Sequence, residues 1–424
     1  MSSISETDEC GSPGTIVSED GSMFIKPATK AEIDFYDAIN SDPQYNDLRE
    51  LCPKYYGRLD DFKADLDMKE ILQEKFELGT IPGASHHKVG EPMGTDRRHG
   101  GSRAILAKTA IALESLTDPF TKPNTLDIKL GTVLYDNDAT LAKKDRFTKV
   151  TATSTNKEFG FRFAGMKIWK GHDAHPDFPK PAEGTPYITK DLFCEYDGKW
   201  GKELKDDEVK DAFRSFLFEP GARVDAEMSK YVAQKFLEEV MKMERVLKKL
   251  VTRMYSASIL FVYEGKGEEL RQHIEWQKKI DNGEEEPKRD NPKWKRPLYD
   301  SDDKFDEEEG DGEEGEEQGD AEAGDEGDDC EGDEYDDEGE PRYIYPAVFK
   351  CKLIDFAHAK LGDAAMEHQG YDPRDTEETH EAKRAKRVPA VGRDENMLKG
   401  IERIITLLRE VQNEIPLTNG HAAE

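Results

Sequence analysis

The chain has 424 residues with 92 Asp and Glu against 61 Lys and Arg, a formal net charge of -31. Of these, 24 acids and one lysine fall in the tract 301–340, so -23 is local and the remainder carries only -31 + 23 = -8, a balance that argues against direct nucleic-acid binding. Five cysteines without a C-x-x-C pair exclude a disulfide framework, and no apolar run approaches the roughly 20 residues of a membrane span, so a soluble chain with reduced thiols is expected.

In chain order, residues 1–14 are polar and predict a disordered tail. Residues 15–17 and 22–26 then read as two strands joined by the turn Ser18-Glu19-Asp20-Gly21, with Asp-Gly supplying the turn chemistry. Pro27 is expected to stop the second strand, and a helix over 30–39 follows, carrying Glu32, Phe35 and Tyr36. A lysine on a strand (Lys26) and a glutamate on the next helix (Glu32) is how kinase-like folds fix an ammonium over ATP phosphates; taken singly, either is equally a solvated surface charge. Residues 77–103 turn to Gly, His, Pro and Arg without apolar period, which predicts a flexible insertion, and His86, His87 and His99 in it lack metal-ligand spacing. The apolar run 104–116 predicts a strand.

The stretch 123–131, PNTLDIKLG, alternates with period two: Leu126, Ile128 and Leu130 share one face, Asp127 and Lys129 the other. Alternation alone leaves the acid and the base as either an ordinary surface pair or a site. Gly131 ends the strand where a turn or a close approach is needed. Asp138 or Thr140 can cap a helix over 139–150, on which Lys143, Arg146 and Lys149 recur every three residues and share a face. Residues 159–169 alternate like a strand, 206–218 predict a short helix, and 225–254 a longer one with an apolar face running to Leu250 and Met254. The apolar run 258–263 and the partly alternating run 348–356 predict an antiparallel pair, whose long connection carries the acidic tract. That connection, 266–342, is expected to be disordered; a basic cluster, Lys383-Arg384-Ala385-Lys386-Arg387, resembles a nuclear import signal; and residues 394–412 predict an amphipathic helix.

Three motifs in this order carry a resemblance. The spacing P-x-x-x-D-x-K-x-G at 123–131, the run Leu353-Ile354-Asp355-Phe356-Ala357-His358, and Ala257-Ser258-Ile259-Leu260 in place of Ser-Ser-Leu-Leu resemble the inositol polyphosphate kinase family, most of all its fungal multikinases, over 15–411. Gly160-Phe161-Arg162-Phe163-Ala164-Gly165-Met166 is similar to a further segment of that family, whereas Ser115 and Ala257 depart from its pattern. Neither a Walker P-loop nor a protein-kinase H-R-D loop is present, which suits a family built on other motifs.

The resemblance implies an α+β, two-lobed kinase-like fold: an antiparallel-sheet N-lobe over 15–116, and a mixed C-lobe over 117–424 with disordered insertions. It implies ATP bound by Lys26, Glu32, the Glu114 carbonyl, the Leu116 amide and the Asp127 carboxylate, with Asp355 holding Mg2+ and Ser258 a second metal donor. Lys129 and Asp355 are the implied catalytic residues, and Lys129, Lys143, Arg146, Lys149 and His358 the implied contacts to a soluble inositol phosphate. The implied reaction takes inositol 1,4,5-trisphosphate and its tetrakisphosphate to the pentakisphosphate through the 3- and 6-hydroxyls. The alternatives are a hexakisphosphate kinase, a trisphosphate 3-kinase or, from another class, an acidic nuclear scaffold whose tract contacts basic transcription proteins. A monomer of the nucleus and cytoplasm is expected.

Overall fold

A computed structural model describes residues 15–18, 21–60, 109–283, 347–362 and 393–415. The expected tail, the insertion 77–103, the acidic tract and the basic cluster 383–387 lie outside the described residues. In the N-lobe, β1 (Ile16–Val17) and β2 (Met23–Pro27) form the expected hairpin, with Ile16 opposite Ile25. Pro27 is the last residue of β2 rather than the first beyond it, a terminal position that tolerates proline. The hydroxyl of Thr29 accepts from the Glu32 amide at 3.2 Å and so starts α1 (Lys30–Ser41). A short α2 (Asn46–Glu50) leads to β3 (Tyr55–Asp60) and β4 (Thr109–Glu114). The antiparallel sheet runs β1-β2-β4-β3. The strand expected over 104–116 is thus β4, and residues 104–108 are outside the described set.

The C-lobe opens with β5 (Pro123–Leu130), where the alternation holds at every position: Leu126, Ile128 and Leu130 are fully buried and Asp127 and Lys129 are not. Next come α3 (Leu141–Thr153), capped by Thr140 rather than Asp138, and a single turn, α4 (Asn156–Phe159). Phe159 and Gly160 were expected in a strand; instead Gly160, at φ +73°, closes α4, and β6 (Phe161–Trp169) begins after it. A side chain at Gly160 would meet the backbone of Gly400 at 2.8 Å, so the close packing of these two segments requires glycine. Then follow β7 (Tyr187–Ile188), β8 (Phe193–Tyr196), α5 (Gly198–Glu203), α6 (Val209–Leu217) and α7 (Ala226–Leu247).

The helix expected over 225–254 stops at Leu247, because Thr252–Met254 is taken by β9, which pairs with β12 (Ala359–Leu361). Its apolar register continues by coincidence into a strand whose partner lies about a hundred residues downstream in the chain. Next, β10 (Ser258–Glu264) pairs antiparallel with β11 (Phe349–Ile354), Ser258 opposite Ile354, as expected. The long connection between them does not begin as a disordered segment: α8 (Gly267–Asp281) buries Leu270, Ile274 and Trp276 despite its many charges. The chain ends its described part in α9 (Glu395–Glu414), capped by Asp394.

The six-stranded sheet runs β11-β10-β5-β6-β8-β7, which puts β5 inside it. Helices α7 and α9 cover its apolar face with Val240, Met243, Leu247, Ile401, Ile404 and Leu408. Each such side chain contributes about 1.5–3 kcal/mol on burial. The other face meets the N-lobe, and one aromatic stack sets how: Phe35 of α1 lies 4.0 Å from Phe356, at 17°. No helix among the described residues is long and apolar enough to cross a membrane.

Candidate active site

Phe356 is one residue past Asp355, so the stack on Phe35 carries Asp355 to the N-lobe. Asp355 follows the last residue of β11 and sits at φ +67°, the left-handed region that aspartate tolerates better than most residues. Lys129 Nζ donates to its Oδ2 at 2.9 Å, and Lys26 Nζ lies 3.4 Å from its Oδ1. Lys26 also pairs with Glu32 Oε1 at 2.8 Å, and that same oxygen accepts from the Phe356 amide at 3.3 Å. Burial pushes the Asp355 carboxyl up, but Lys129 and then Lys26 outweigh it and leave the group below the ordinary carboxylate range. For Lys26, burial lowers the pKa and Glu32, then Asp355, more than restore it. Two ammonium groups thus balance two carboxylates.

Cross-strand neighbours share a face, so the registers Ser258–Lys129 and Lys129–Arg162 lay Ser258, Lys129 and Arg162 in one row on the cleft side. Asp127 belongs to the next row. Burial raises its carboxyl above the usual value, with Lys129 opposing, and its Oδ1 is buried without a well-aligned partner. Ser258 Oγ is likewise enclosed, and it lies close enough to Asp127 to favour that carboxylate. Ser258, expected as a second metal donor, is fully buried across the strand from Lys129. Arg162 was not singled out from sequence. It is 8% exposed, and burial lowers its pKa while Asp127 raises it. The available signal was a charge between two phenylalanines, Phe161 and Phe163, in a mostly apolar strand.

Beyond Asp355, His358 meets Lys143 of α3, Nε2 to Nζ at 3.1 Å, and its Nδ1 lies 2.6 Å from Asp136 Oδ2. Arg146 and Lys149 lie further along α3 and are exposed, Arg146 4.8 Å over the Phe147 ring. The basic stripe is therefore anchored at one end and open at the other. Lys144 faces inward instead, donating to the Asn137 carbonyl at 2.7 Å. The strand turn after Lys129 is held from α9: Asn396 Oδ1 accepts from the Thr132 and Val133 amides at 2.7 and 2.8 Å. Gly131, at φ +100°, would drive a side chain to 2.5 Å from Asn396 Nδ2, so the close approach at Gly131 is that amide.

At the other end of the cleft, Glu114 ends β4 and Leu116 is buried with Phe120 and Val262. The Glu114 side chain bonds Lys350 and accepts from the Lys54 amide at 3.2 Å. A cavity of about 670 Å³ opens beside this pair; Lys26, Asp127, Lys129 and Asp355 are not among its lining residues. The cluster of Lys26, Lys129 and Asp355 therefore lies between the lobes and outside that cavity. Among the described residues no group of three or more His, Cys, Asp or Glu forms a metal cage.

A family model described as inositol polyphosphate kinase matches residues 110–409. The chain belongs to that family. It is 28% identical to the inositol polyphosphate multikinase of Saccharomyces cerevisiae over 282 residues, covering 62% of this chain and 72% of that protein. The Schizosaccharomyces pombe inositol polyphosphate multikinase is 25% identical over 249 residues, covering 59% of this chain and 74% of that protein. Inositol hexakisphosphate kinase 3 of Mus musculus is 26% identical, but over 37% of this chain and 34% of that one. Within this kinase family the matched span holds Asp127, Lys129, Arg162 and Asp355, while Lys26 and Glu32 precede it.

Proposed function

We propose that this kinase is an ATP-dependent inositol polyphosphate multikinase that phosphorylates inositol 1,4,5-trisphosphate and its tetrakisphosphate at the 3- and 6-hydroxyls, ending at the pentakisphosphate. The observation that carries the proposal is the convergence of Lys26 and Lys129 on Asp355, from opposite lobes, next to a second basic cluster at Lys143 and His358. Two adjoining cationic sites suit a reaction between two polyphosphates. The broad coverage of the two fungal multikinases, against the partial match to the hexakisphosphate kinase, favours the former activity.

Asp355 presents hard oxygens where ATP phosphates would lie, which suits Mg2+, an ion that keeps water and phosphate as most of its ligands. When bound there, the ion supplies charge neutralisation across the phosphates. Lys26, fixed by Glu32, orients the ATP phosphates, and the buried Asp127 carboxylate accepts from the ribose. The hinge backbone at Glu114 and Leu116 takes the adenine edge. Lys129 sits between Asp355 and Arg162, where it stabilises the charge that develops on the phosphoryl group in flight. Lys143, with His358 directly behind it, holds the inositol phosphate so that its hydroxyl faces that phosphoryl group, with Arg146 and Lys149 giving the open end of the same basic surface. A place in both nucleus and cytoplasm, and contacts of the acidic tract with basic proteins, belong to the same proposal; they rest on the charge runs 383–387 and 301–340.

The test is incubation of the purified protein with Mg-ATP and inositol 1,4,5-trisphosphate, with products resolved by phosphate number and position, beside Asp355→Asn. Tetrakis- and pentakisphosphates that vanish in the variant support the proposal. Turnover confined to the hexakisphosphate overturns it.

A further inference from the structure

Asp136 stands in the loop between β5 and α3, buried to 8% exposure, and the site as described so far gives it no role. Its Oδ2 lies 2.6 Å from His358 Nδ1, and His358 Nε2 lies 3.1 Å from Lys143 Nζ, although His358 is more than 200 residues away from both in sequence. What each partner is able to do decides where the protons are. An ammonium only donates, so Nε2 must be an acceptor; an ionised carboxylate only accepts, so Nδ1 must carry the ring proton. Asp136 is ionised: the hydrogen bond from His358 holds its carboxyl below the ordinary range against the opposing effect of burial, and Lys143 and Lys360 add to the lowering. Tyr255, whose amide donates to the His358 carbonyl, also faces Asp136.

With those partners the Nδ1 proton points at Asp136 and the Nε2 lone pair at the Lys143 ammonium. A free lysine side chain samples many rotamers, and binding a phosphate with it costs that freedom. Here Lys143 is held in advance. The neighbouring Lys144 bonds the carbonyl of Asn137, so two consecutive lysines tie α3 to the same loop.

We infer that Asp136 is a positioning residue: it holds His358 as the Nδ1-protonated tautomer, so that Nε2 fixes Lys143 where a phosphate of the inositol ring is bound. The consequence for binding rests on the kinase proposed above; the tautomer does not. Without the carboxylate, the ring can take its proton on Nε2, which aims an N–H at an ammonium and drives Lys143 from its place.

The experiment has two arms. In the first, the protein is labelled with 15N-histidine, and the His358 nitrogens are assigned by their loss in His358→Ala. A protonated-type Nδ1 and an unprotonated-type Nε2 are expected in the wild type, and the other tautomer gains population in the near-isosteric Asp136→Asn. In the second arm, Asp136→Asn raises KM for inositol 1,4,5-trisphosphate ~10-fold, the loss of one charged hydrogen bond, and leaves KM for ATP unchanged. Added to His358→Ala, it causes no further loss, because it acts through the ring. A wild-type His358 protonated on Nε2 overturns the inference, and this measurement needs no variant to fold. So does a fully additive loss in the double variant, which a merely structural aspartate would give. A protein that turns over no inositol phosphate sinks the kinase proposal, while the nitrogen shifts still decide the tautomer.

Discussion

At the phosphate end of the cleft, Lys26 and Lys129 converge on Asp355 from different lobes; at the hinge end, Lys350 meets Glu114, again across the lobes. The two arrangements use the same chemistry for different ends. Glu114 spends one oxygen on Lys350 and the other on the Lys54 amide, and burial of its carboxyl is outweighed by Lys350. Both partners are protein groups, one from each lobe, so the pair joins the lobes. Asp355 instead divides one carboxylate between two cations from a left-handed backbone position. On the function proposed above, a polyphosphate would take over both cations, and the strained backbone position sits at that point.

Substitutions at the two ends should separate these roles. The largest effect is expected for Asp355→Asn, which removes the charge proposed to hold the metal: turnover should fall by ~10³-fold or more, measured under saturating ATP and substrate. Lys129→Met keeps most of the apolar stem and loses the charge proposed to lie beside the transferred phosphoryl group. It should lower kcat by ~10²–10³-fold with little change in KM for ATP. Equal losses in kcat and ATP binding would instead make Lys129 a ground-state phosphate ligand. Glu32→Gln leaves Lys26 less firmly placed while an amide oxygen still serves the Phe356 amide. KM for ATP should rise about tenfold, and stability should fall by about 1–3 kcal/mol, read from the urea midpoint.

The smallest effect belongs to Glu114→Gln. Because the adenine contact is expected of the backbone, KM for ATP should change by less than ~3-fold and stability by about 1 kcal/mol or less. Its signature is in acid. The folded-state pKa of Glu114 is depressed, so the stability it contributes is present above the ordinary carboxylate range and is lost as pH falls through the folded value. The variant should therefore lose less stability than the wild type on acidification below about pH 4–5. Equal acid sensitivity would show that the pair does not join the lobes in solution.

Much of this site was legible before the fold. Period-two alternation at 123–131 separates Asp127 and Lys129 from the buried Leu126, Ile128 and Leu130, because strand geometry is local and needs no knowledge of neighbours. The same holds for the hairpin at the amino-terminal end and the apolar stripe of α9, while the helix cap was legible only as Asp138 or Thr140. Local pattern misled where a tertiary partner intervened. The apolar register of α7 runs on into Leu250 and Met254, yet β12 claims Thr252–Met254 for a strand. Charge counting also hid α8, whose three buried side chains suffice to dock it.

What the sequence determined by itself was the set of elements with a short period and the identity of the charged residues they carry. Which charges meet was decided only by the tertiary structure. Lys26 and Asp355 are 329 residues apart, Lys129 and Asp355 226, and Asp136 and His358 222. No local rule spans such distances. The Phe35–Phe356 stack and the pairing of β5 with β10 and β10 with β11 close them, because burial of apolar surface places the charges before any charge can choose its partner.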